Sequence, residues 1–164
     1  MASTQTWVEG NGTNAATLTE SRSEINFKNV DDSTTAYTSS PITAGNNSFV
    51  KYQAIKFAGT WNSLSGLTYK VSNNAPATGI SIVGSVVSAG ATPSTTALGD
   101  SAFSTSGLSA NFVSSSTPYG AGSSSTTAGG TMYAQAFRAQ MKTTSSAAPG
   151  DTPQVTFTAT WTES

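Results

Sequence analysis

The sequence predicts an all-β protein, an antiparallel β-sandwich of jelly-roll or immunoglobulin-like type. Apolar residues recur at every second position in several short segments, which is the spacing of strands with one buried face. Clusters of Gly, Pro, Asn, Asp and Ser separate these segments. No segment carries a large apolar stripe at helical spacing. Seven to nine short strands joined by turns are therefore expected, which is typical of a sandwich.

The length of 164 residues fits a single domain with an appended arm. Residues 1–20 are polar and rich in Gly and Asn, with one apolar pair at Trp7 and Val8. We interpret them as an N-terminal arm or an edge strand, and residues 21–164 as one sandwich domain.

The first strand of that domain is expected over residues 22–30. Ile25 and Phe27 fall on one face there, and polar side chains fall on the other. Residues 31–47 mix turn residues with a few apolar ones, which predicts a loop with room for one edge strand.

The next segments contain the densest apolar sequence. Residues 49–57 have apolar side chains on both faces, which predicts a central strand covered on both sides. A helix is the alternative, but its apolar stripe would be poor. Residues 61–66 are expected to connect strands, with Trp61 and Leu64 as anchors. Residues 67–71 alternate cleanly and predict another strand.

A strand over residues 80–87 is followed by a long Ser/Gly-rich region at about 88–130. Its large apolar residues are far apart. A structureless loop of this length is uncommon inside a compact domain. The region is therefore either a loop excursion pinned by its apolar residues, or a stretch that contains short strands.

Two further strands complete the domain. Residues 131–142 favour a strand over a helix, with Gln135 as the exception to the alternation. In the last segment, alternate positions are apolar and the positions between them are Thr, which is the clearest half-buried strand in the chain. The inward residues are Val155, Phe157, Ala159 and Trp161.

Composition excludes several classes of function. The chain has no His and no Cys, which removes the usual general base, thiol chemistry and disulfides. Only 9% of the residues are charged and the net charge is −1, without a basic cluster, so direct nucleic-acid binding is not expected. Lys51, Lys56 and Lys70 would be a weak patch even if folding gathered them. The N-terminus does not resemble a secretory signal, and no apolar run is long enough for a membrane helix.

No catalytic, cofactor or metal motif emerges from the remaining residues. Ser48 and Lys51 are close in sequence, but a Ser nucleophile normally needs a His. The adjacent Asp31 and Asp32 are typical of a turn, and no calcium-loop spacing accompanies them. We therefore expect a protein that is not an enzyme and that has no cofactor and no metal.

The three tryptophans raise the alternative of a carbohydrate-binding module or receptor-binding tip. Exposed aromatic rings can stack on sugars. Trp161 is in register with Phe157, which favours the core, whereas Trp61 precedes a turn and is compatible with either role.

Two blocks of sequence resemble a family. They are "NSFVKYQAIKFAGTWNSLSGLTYKVSNN" at residues 47–74 and "AAPGDTPQVTFTATWTE" at residues 147–163. Both are similar to small structural proteins of tailed bacteriophages. In that group a strand of this type leads into a Trp-Asn-Ser-Leu-Ser corner, and the last strand follows a Gly-Asp-Thr turn.

The resemblance implies a β-sandwich subunit of the virion. The expected function is that of a capsid decoration (cement) protein, made in the host cytoplasm and bound to the major capsid protein on the capsid surface. It implies a homo-oligomer, for which a trimer would suit three-fold sites, and neither nucleic-acid nor membrane binding. A tail or baseplate subunit is the alternative within the same class.

We expect the partner interface in the segments that lack a core of their own, residues 1–20 and 88–130. Large apolar residues in such segments are candidate anchors for a partner. They are Trp7, Phe103, Phe112 and Tyr119.

Overall fold

A computed structural model describes residues 2–127, 129–148 and 153–164. These residues form eleven β-strands, with two 3-10 turns (Thr13–Ala15 and Tyr37–Ser39) and no α-helix. Every strand pairing among them is antiparallel, as the sequence predicts. The strands are β1 (Ser3–Asn11), β2 (Thr17–Glu20), β3 (Lys51–Gly59), β4 (Ser63–Val71), β5 (Ile80–Val86), β6 (Leu108–Ser109), β7 (Phe112–Val113), β8 (Ser125–Thr127), β9 (Gly130–Ala134), β10 (Phe137–Thr143) and β11 (Phe157–Glu163).

The first sheet is built around β3, the strand that the sequence predicts to be central. Its order is β2-β1-β3-β10-β5, and β9 also pairs with β3 and carries β7 on its other side. β1 runs along β3 from Ser3 opposite Gly59 to Gly10 opposite Tyr52. Apolar residues on both faces of β3 are explained by cover on both sides of this sheet.

The second sheet is built around β4, with β11 on one side and β6 and β8 on the other. The pairing of β4 with β11 shifts by one residue between Ser65 and Thr68, where Gly66 has a φ of +65°. This left-handed residue suits a β-bulge. The bulge lets both Leu64 and Leu67 point into the core, where both are buried.

The main core lies between the two sheets and is rich in aromatic rings. The ring of Phe137 packs between the sheets, 4.8 Å from Tyr69 and 5.5 Å from Phe157, centroid to centroid. Phe57 meets Trp161 edge to face at 5.2 Å. The inward face predicted for the last strand, from Val155 to Trp161, packs against this core.

A smaller cluster covers the outer face of the first sheet. Ala15, Val50 and Tyr52 are buried there, and Tyr119 packs on them from the long Ser/Gly-rich region. β3 is thus covered on its second face by loops instead of by a helix or another sheet.

The N-terminal segment is a hairpin within the first sheet, not a free arm. β1 pairs with β2 on one side and with β3 on the other, so of these two N-terminal strands β2 lies at the edge and β1 does not. Trp7 and Val8 explain why this segment joins the sheet. Their side chains point to opposite faces of β1, and both faces of the sheet are covered, so pairing of β1 inside the sheet packs Trp7 against the core and buries Val8.

Residues 22–30 are extended and are not a strand. Ile25 and Phe27 pack against the core as the alternation predicts, but the chain leaves β2 at Ser21, which has a φ of +60°. From there residues 22–28, the covering segment, run across the open side of the sandwich. Periodicity reports which face is buried and does not report whether the backbone is paired.

Residues 88–130 contain three short strands, β6, β7 and β8, joined by pinned loops. The side chain of Gln140 holds one loop with hydrogen bonds to Thr96 and Leu98. Arg138 holds the next part through a two-point ion pair with Asp100, at 2.7 and 2.8 Å. The sequence left two alternatives for this region, pinned loop or short strands. One part of the region is pinned loop, and another part forms short strands.

The single strand predicted over residues 131–142 is two strands, β9 and β10, interrupted at Gln135 and Ala136. The interruption falls on the residue that breaks the alternation. Gln135 turns its side-chain amide to the carbonyl of Gly120 and accepts from the amide of Asn111. β9 pairs with one half of β3 and β10 with the other half.

Candidate functional site

A cleft of about 1110 Å³ opens between the covering segment and the chain that leads into β11, residues 153–157. Ile25 and Phe27 line one side and Val155 lines the other, while Trp7 and Gln53 of the first sheet contribute its inner surface. The lining is mainly apolar with a few polar groups, which is typical of a binding site. This cleft is the candidate functional site.

The two sides of the cleft are extended chain whose backbone groups are largely unpaired among the described residues. Within the described part of the chain, the backbone of residues 23–27 makes no hydrogen bond, and neither does that of residues 153–155. Backbone amides and carbonyls are strong hydrogen-bonding groups that are normally paired when buried. A second extended chain between these sides would find partners for its own backbone.

Two polar atoms at the cleft are buried without a partner among the described residues, Oε1 of Gln53 and Nε of Arg22. The orientation of the Gln53 amide follows from chemistry. Its Nε2 donates to Oε2 of Glu9 at 3.0 Å, and a carboxylate can only accept, so the carbonyl oxygen must point away from it. One acceptor and one donor therefore lie buried and without a partner beside the cleft.

Behind Gln53 lies a buried polar cluster formed by β1 and β3. Lys51 forms an ion pair with Glu9 at 3.1 Å, and Asn11 donates to the same carboxylate at 3.1 Å. Asn11 also donates to Asp31 at 2.8 Å, which connects the cluster to the loop that follows the covering segment.

Asp32 stabilises the turn that follows the covering segment. It accepts from Nζ of Lys28 at 2.7 Å and from the backbone amides of Thr34 and Thr35. These donors, Lys28 first, hold the pKa of the Asp32 carboxyl well below its usual range. Asp32 thus serves a turn, which is the structural role that the sequence favours, whereas Asp31 accepts from Asn11 and from the backbone amide of Gly12.

The four predicted interface anchors are not gathered on one surface. Phe103 and Phe112 are 0% and 2% exposed and belong to the core between the sheets. Trp7 is half-buried and lines the cleft. Tyr119 lies on the outer face of the first sheet, where its hydroxyl donates to the carbonyl of Ala15 at 2.9 Å. In this arrangement only Trp7 is near the cleft, and a partner role for the four stays a prediction.

Trp61 offers no stacking face for a sugar, because it is 3% exposed. Trp161 packs against Phe57 in the core. Among the described residues, the exposed large hydrophobic side chain is that of Tyr37, which is 42% exposed and lies at the cleft.

The other weighed candidates are separated from each other. Ser48 donates to the carbonyl of Phe49, while Lys51 is engaged with Glu9, so no Ser-Lys pair forms. Lys56 forms an ion pair with Glu20 at 2.6 Å on the first sheet, whereas Lys70 is exposed on the second sheet. The three lysines do not make one basic patch.

Sequence reasoning does not identify Glu9, Gln53 or Arg22 as parts of a site. One signal was present, since Glu9 shares a strand face with Trp7, and a charged residue on a buried face needs a partner. The partner itself is more than forty residues away, so local patterns cannot name it.

Among the described residues, no group of three or more metal-ligating side chains of the His, Cys, Asp and Glu types is placed to hold an ion. No helix in the described ranges has the length and apolar character needed to cross a membrane. Comparison with protein-family models, curated proteins and solved structures finds no match to this chain.

Proposed function

We propose that this chain is a structural protein of a tailed-bacteriophage virion, a capsid decoration protein that binds the shell of major capsid protein and stabilises it. The observation behind the proposal is the apolar cleft between two extended segments whose backbones, at residues 23–27 and 153–155, make no hydrogen bond among the described residues. Such a cleft suits recognition of another polypeptide by strand addition, in which backbone hydrogen bonds give affinity and side-chain pockets give specificity.

The proposed occupant of the cleft is an extended segment of the capsid protein with apolar side chains. The sides of the cleft supply backbone donors and acceptors for the incoming segment. Ile25, Phe27 and Val155 provide apolar surface for the side chains of the incoming segment. Arg22 and Glu24 give the rim no excess of either charge, which favours an uncharged occupant.

The sequence resemblance supports the virion class independently of the cleft. The first resembling block, residues 47–74, contains β3 and β4, the strands around which the two sheets are built. The second block contains β11, which packs across the core from β3. The similarity therefore lies mainly in the framework strands and in one side of the cleft, and it does not extend to the covering segment or the Ser/Gly-rich loops.

The direct test is the copy number in purified particles of the phage that encodes the chain. Quantitative mass spectrometry with the major capsid protein as internal standard should find hundreds of copies, as expected for a shell component. Tens of copies or fewer would assign the chain to the tail or baseplate instead. Absence from the particle would overturn the proposal.

A second test addresses the cleft. Particles stripped of the protein should bind the added wild-type chain and regain resistance to heat or chelator. The Tyr37→Glu variant, which places a charge at the cleft on an exposed position, should rebind poorly. The matched control is Thr160→Glu, on the exposed face of β11. Equal rebinding by both variants would exclude the cleft as the interface.

A glycan array on the isolated protein tests the alternative of a carbohydrate-binding module. Specific glycan binding that is lost in the Tyr37→Glu variant would replace capsid decoration with receptor recognition. We expect no glycan binding, because Trp61 is buried and Trp161 packs in the core.

A further inference from the structure

We propose that Lys51 and Asn11 become joined by an intramolecular amide bond between their side chains, with Glu9 as the group that transfers the protons. The inference concerns the buried cluster of β1 and β3 and is independent of the proposed function. The observation behind it is that one carboxylate oxygen contacts both nitrogen atoms that the reaction exchanges.

The geometry is that of a proton relay. Oε1 of Glu9 lies 3.1 Å from Nζ of Lys51 and 3.1 Å from Nδ2 of Asn11. Nζ is the nitrogen that must lose protons to become a nucleophile, and Nδ2 is the nitrogen that must gain them to leave. A general acid–base group must be within hydrogen-bonding distance of the proton that it moves, and this oxygen is within that distance of both.

Strand register brings the amine and the carboxamide together. The antiparallel pairing that sets Gly10 opposite Tyr52 brings Asn11 and Lys51 to the next facing positions on β1 and β3. Side chains that face each other across antiparallel strands have Cβ atoms about 5 Å apart. The flexible lysine side chain is long enough to bring Nζ to the carboxamide carbon across that distance.

The cluster is buried away from water, which favours amide formation over hydrolysis. Glu9, Lys51 and Asn11 are 1%, 1% and 7% exposed. Exclusion of water protects a reactive site from hydrolysis and strengthens the electrostatic interactions within it. In such an interior, transfer of a proton from Nζ to the carboxylate replaces two buried charges with a neutral amine and a neutral acid.

The reaction is balanced without a co-reactant. Neutral Nζ of Lys51 attacks Cγ of Asn11 and forms the new C–N bond. The bond from Cγ to Nδ2 breaks, and Glu9 delivers protons to the leaving nitrogen. In total the ammonium of Lys51 gives up two protons, the NH₂ group of Asn11 takes up two, and ammonium ion is released with the net charge unchanged.

Neighbouring residues hold the three groups in position. Gln53 donates to Oε2 of Glu9 at 3.0 Å, which leaves Oε1 for the two nitrogens. Nζ of Lys51 also donates to the carbonyl of Asp32 at 3.0 Å, and Asp31 accepts from Asn11. Gln53 and Asp31 are positioning residues in this proposal.

The covalent bond would stabilise the fold in a way that the buried ion pair alone does not. A buried ion pair is weak evidence for stability, because removing both charges from water offsets most of their attraction. A covalent link between β1 and β3 would close a loop that contains β2 and the covering segment, and would restrict the unfolded chain as a disulfide does. The chain has no Cys with which to make a disulfide.

The test is peptide mapping of the folded wild-type protein by mass spectrometry. An amide at Nζ prevents trypsin from cleaving after Lys51. We expect one branched peptide composed of residues 1–22 and 29–56, lighter by one ammonia than the sum of its two parts. Separate peptides of residues 29–51 and 52–56, obtained after prolonged incubation of the folded protein, would overturn the proposal.

One side reaction must be distinguished, because Asn11 precedes Gly12 and such a pair can form a succinimide, which also releases ammonia. A succinimide does not join two peptides, and hydroxylamine cleaves the chain at it. Loss of ammonia with hydroxylamine cleavage and without the branched peptide would therefore count against the proposal.

Substitutions separate the roles of the three residues. Glu9→Gln keeps the shape of the side chain but removes the proton carrier, and it should reduce the branched peptide at least tenfold after equal incubation. Lys51→Met should abolish it. The matched control is Lys28→Met, which removes another buried lysine with a carboxylate partner. It also removes the tryptic site after residue 28, so the branched peptide should appear in undiminished yield as residues 1–22 joined to residues 23–56. A branched peptide of undiminished yield in Glu9→Gln would exclude the role of Glu9.

Discussion

The ring of Phe27 lies 6.2 Å from the ring of Phe157, centroid to centroid, at an interplanar angle of 48°. Phe27 belongs to the covering segment and Phe157 to β11, so this contact joins the two sides of the cleft. The covering segment has no backbone hydrogen bonds between residues 23 and 27 among the described residues, and side-chain packing of this kind holds it in place.

Phe27→Ala should loosen the covering segment while the sheets remain folded. The loss of a half-buried aromatic ring should lower the free energy of unfolding by about 1–2 kcal/mol. Cleavage by trypsin after Arg22 and Lys28 should become faster than in the wild-type protein. Tyr37→Ala, a change at an exposed position, is the control and should leave both measurements nearly unchanged.

Phe137→Ala should be far more destabilising, because this ring packs against rings from both sheets. Its neighbours include Trp7 of the first sheet and Tyr69 and Phe157 of the second sheet. Truncation of a core phenylalanine lowers the free energy of unfolding by about 3–5 kcal/mol, and denaturant unfolding measures it. Thr160→Ala on the exposed face of β11 should change it by less than about 0.5 kcal/mol. Similar losses in the two variants would contradict the assignment of the core.

Gly10→Ala tests the cluster on the outer face of the first sheet. A methyl group at Gly10 would lie 2.6 Å from the carbonyl oxygen of Ala15 and 2.6 Å from the hydroxyl oxygen of Tyr119, which hydrogen-bond to each other. Overpacking of this kind lowers the free energy of unfolding by about 1–3 kcal/mol. Gly99→Ala is the matched control, because nothing lies within 4 Å of the added methyl group. The measurement is thermal or denaturant unfolding of the two variants side by side.

Acid should weaken the fold through Asp32 and Asp100. Lys28 beside Asp32 and Arg138 beside Asp100 lower the pKa of both carboxyls. Unfolded Asp titrates at about pH 4, so these carboxylates contribute fully above that value, and the contribution is lost as the pH falls below it toward the lowered pKa. The free energy of unfolding, measured between neutral pH and about pH 2, should therefore decrease on the acid side.

The double variant Asp32→Asn, Asp100→Asn supplies the comparison for that pH series. It should be less stable than the wild-type protein at neutral pH and should lose less on acidification. Parallel curves for the two proteins would show that other groups control the acid response.

Local sequence patterns were sufficient to predict the strands that have one apolar face and one polar face. The alternation in β11 and in the second half of β4 is a property of neighbouring residues, because successive side chains of a strand point to opposite sides. The same reasoning located β3 and β5. It also flagged Gln135, where the predicted strand divides into β9 and β10.

Features that depend on contacts between distant parts of the chain could not be predicted from local sequence patterns. Residues 22–30 have the alternation of a strand, yet they join no sheet, and the backbone of residues 23–27 makes no hydrogen bond among the described residues, because β2 takes the edge of β1. Trp7 appeared isolated in a polar segment, although its neighbour Ile55 on β3 is far along the chain. Phe103 and Phe112 likewise enter a core supplied mostly by other segments.

The sequence by itself determined the all-β class, most strand positions and the absence of His and Cys, since composition and two-residue periodicity are local properties. Only the tertiary structure decided the cleft and the Glu9–Asn11–Lys51 cluster. Sheet register, set by side-chain burial over the whole domain, brings residues from distant parts of the chain to facing positions, and no short stretch of sequence contains that information.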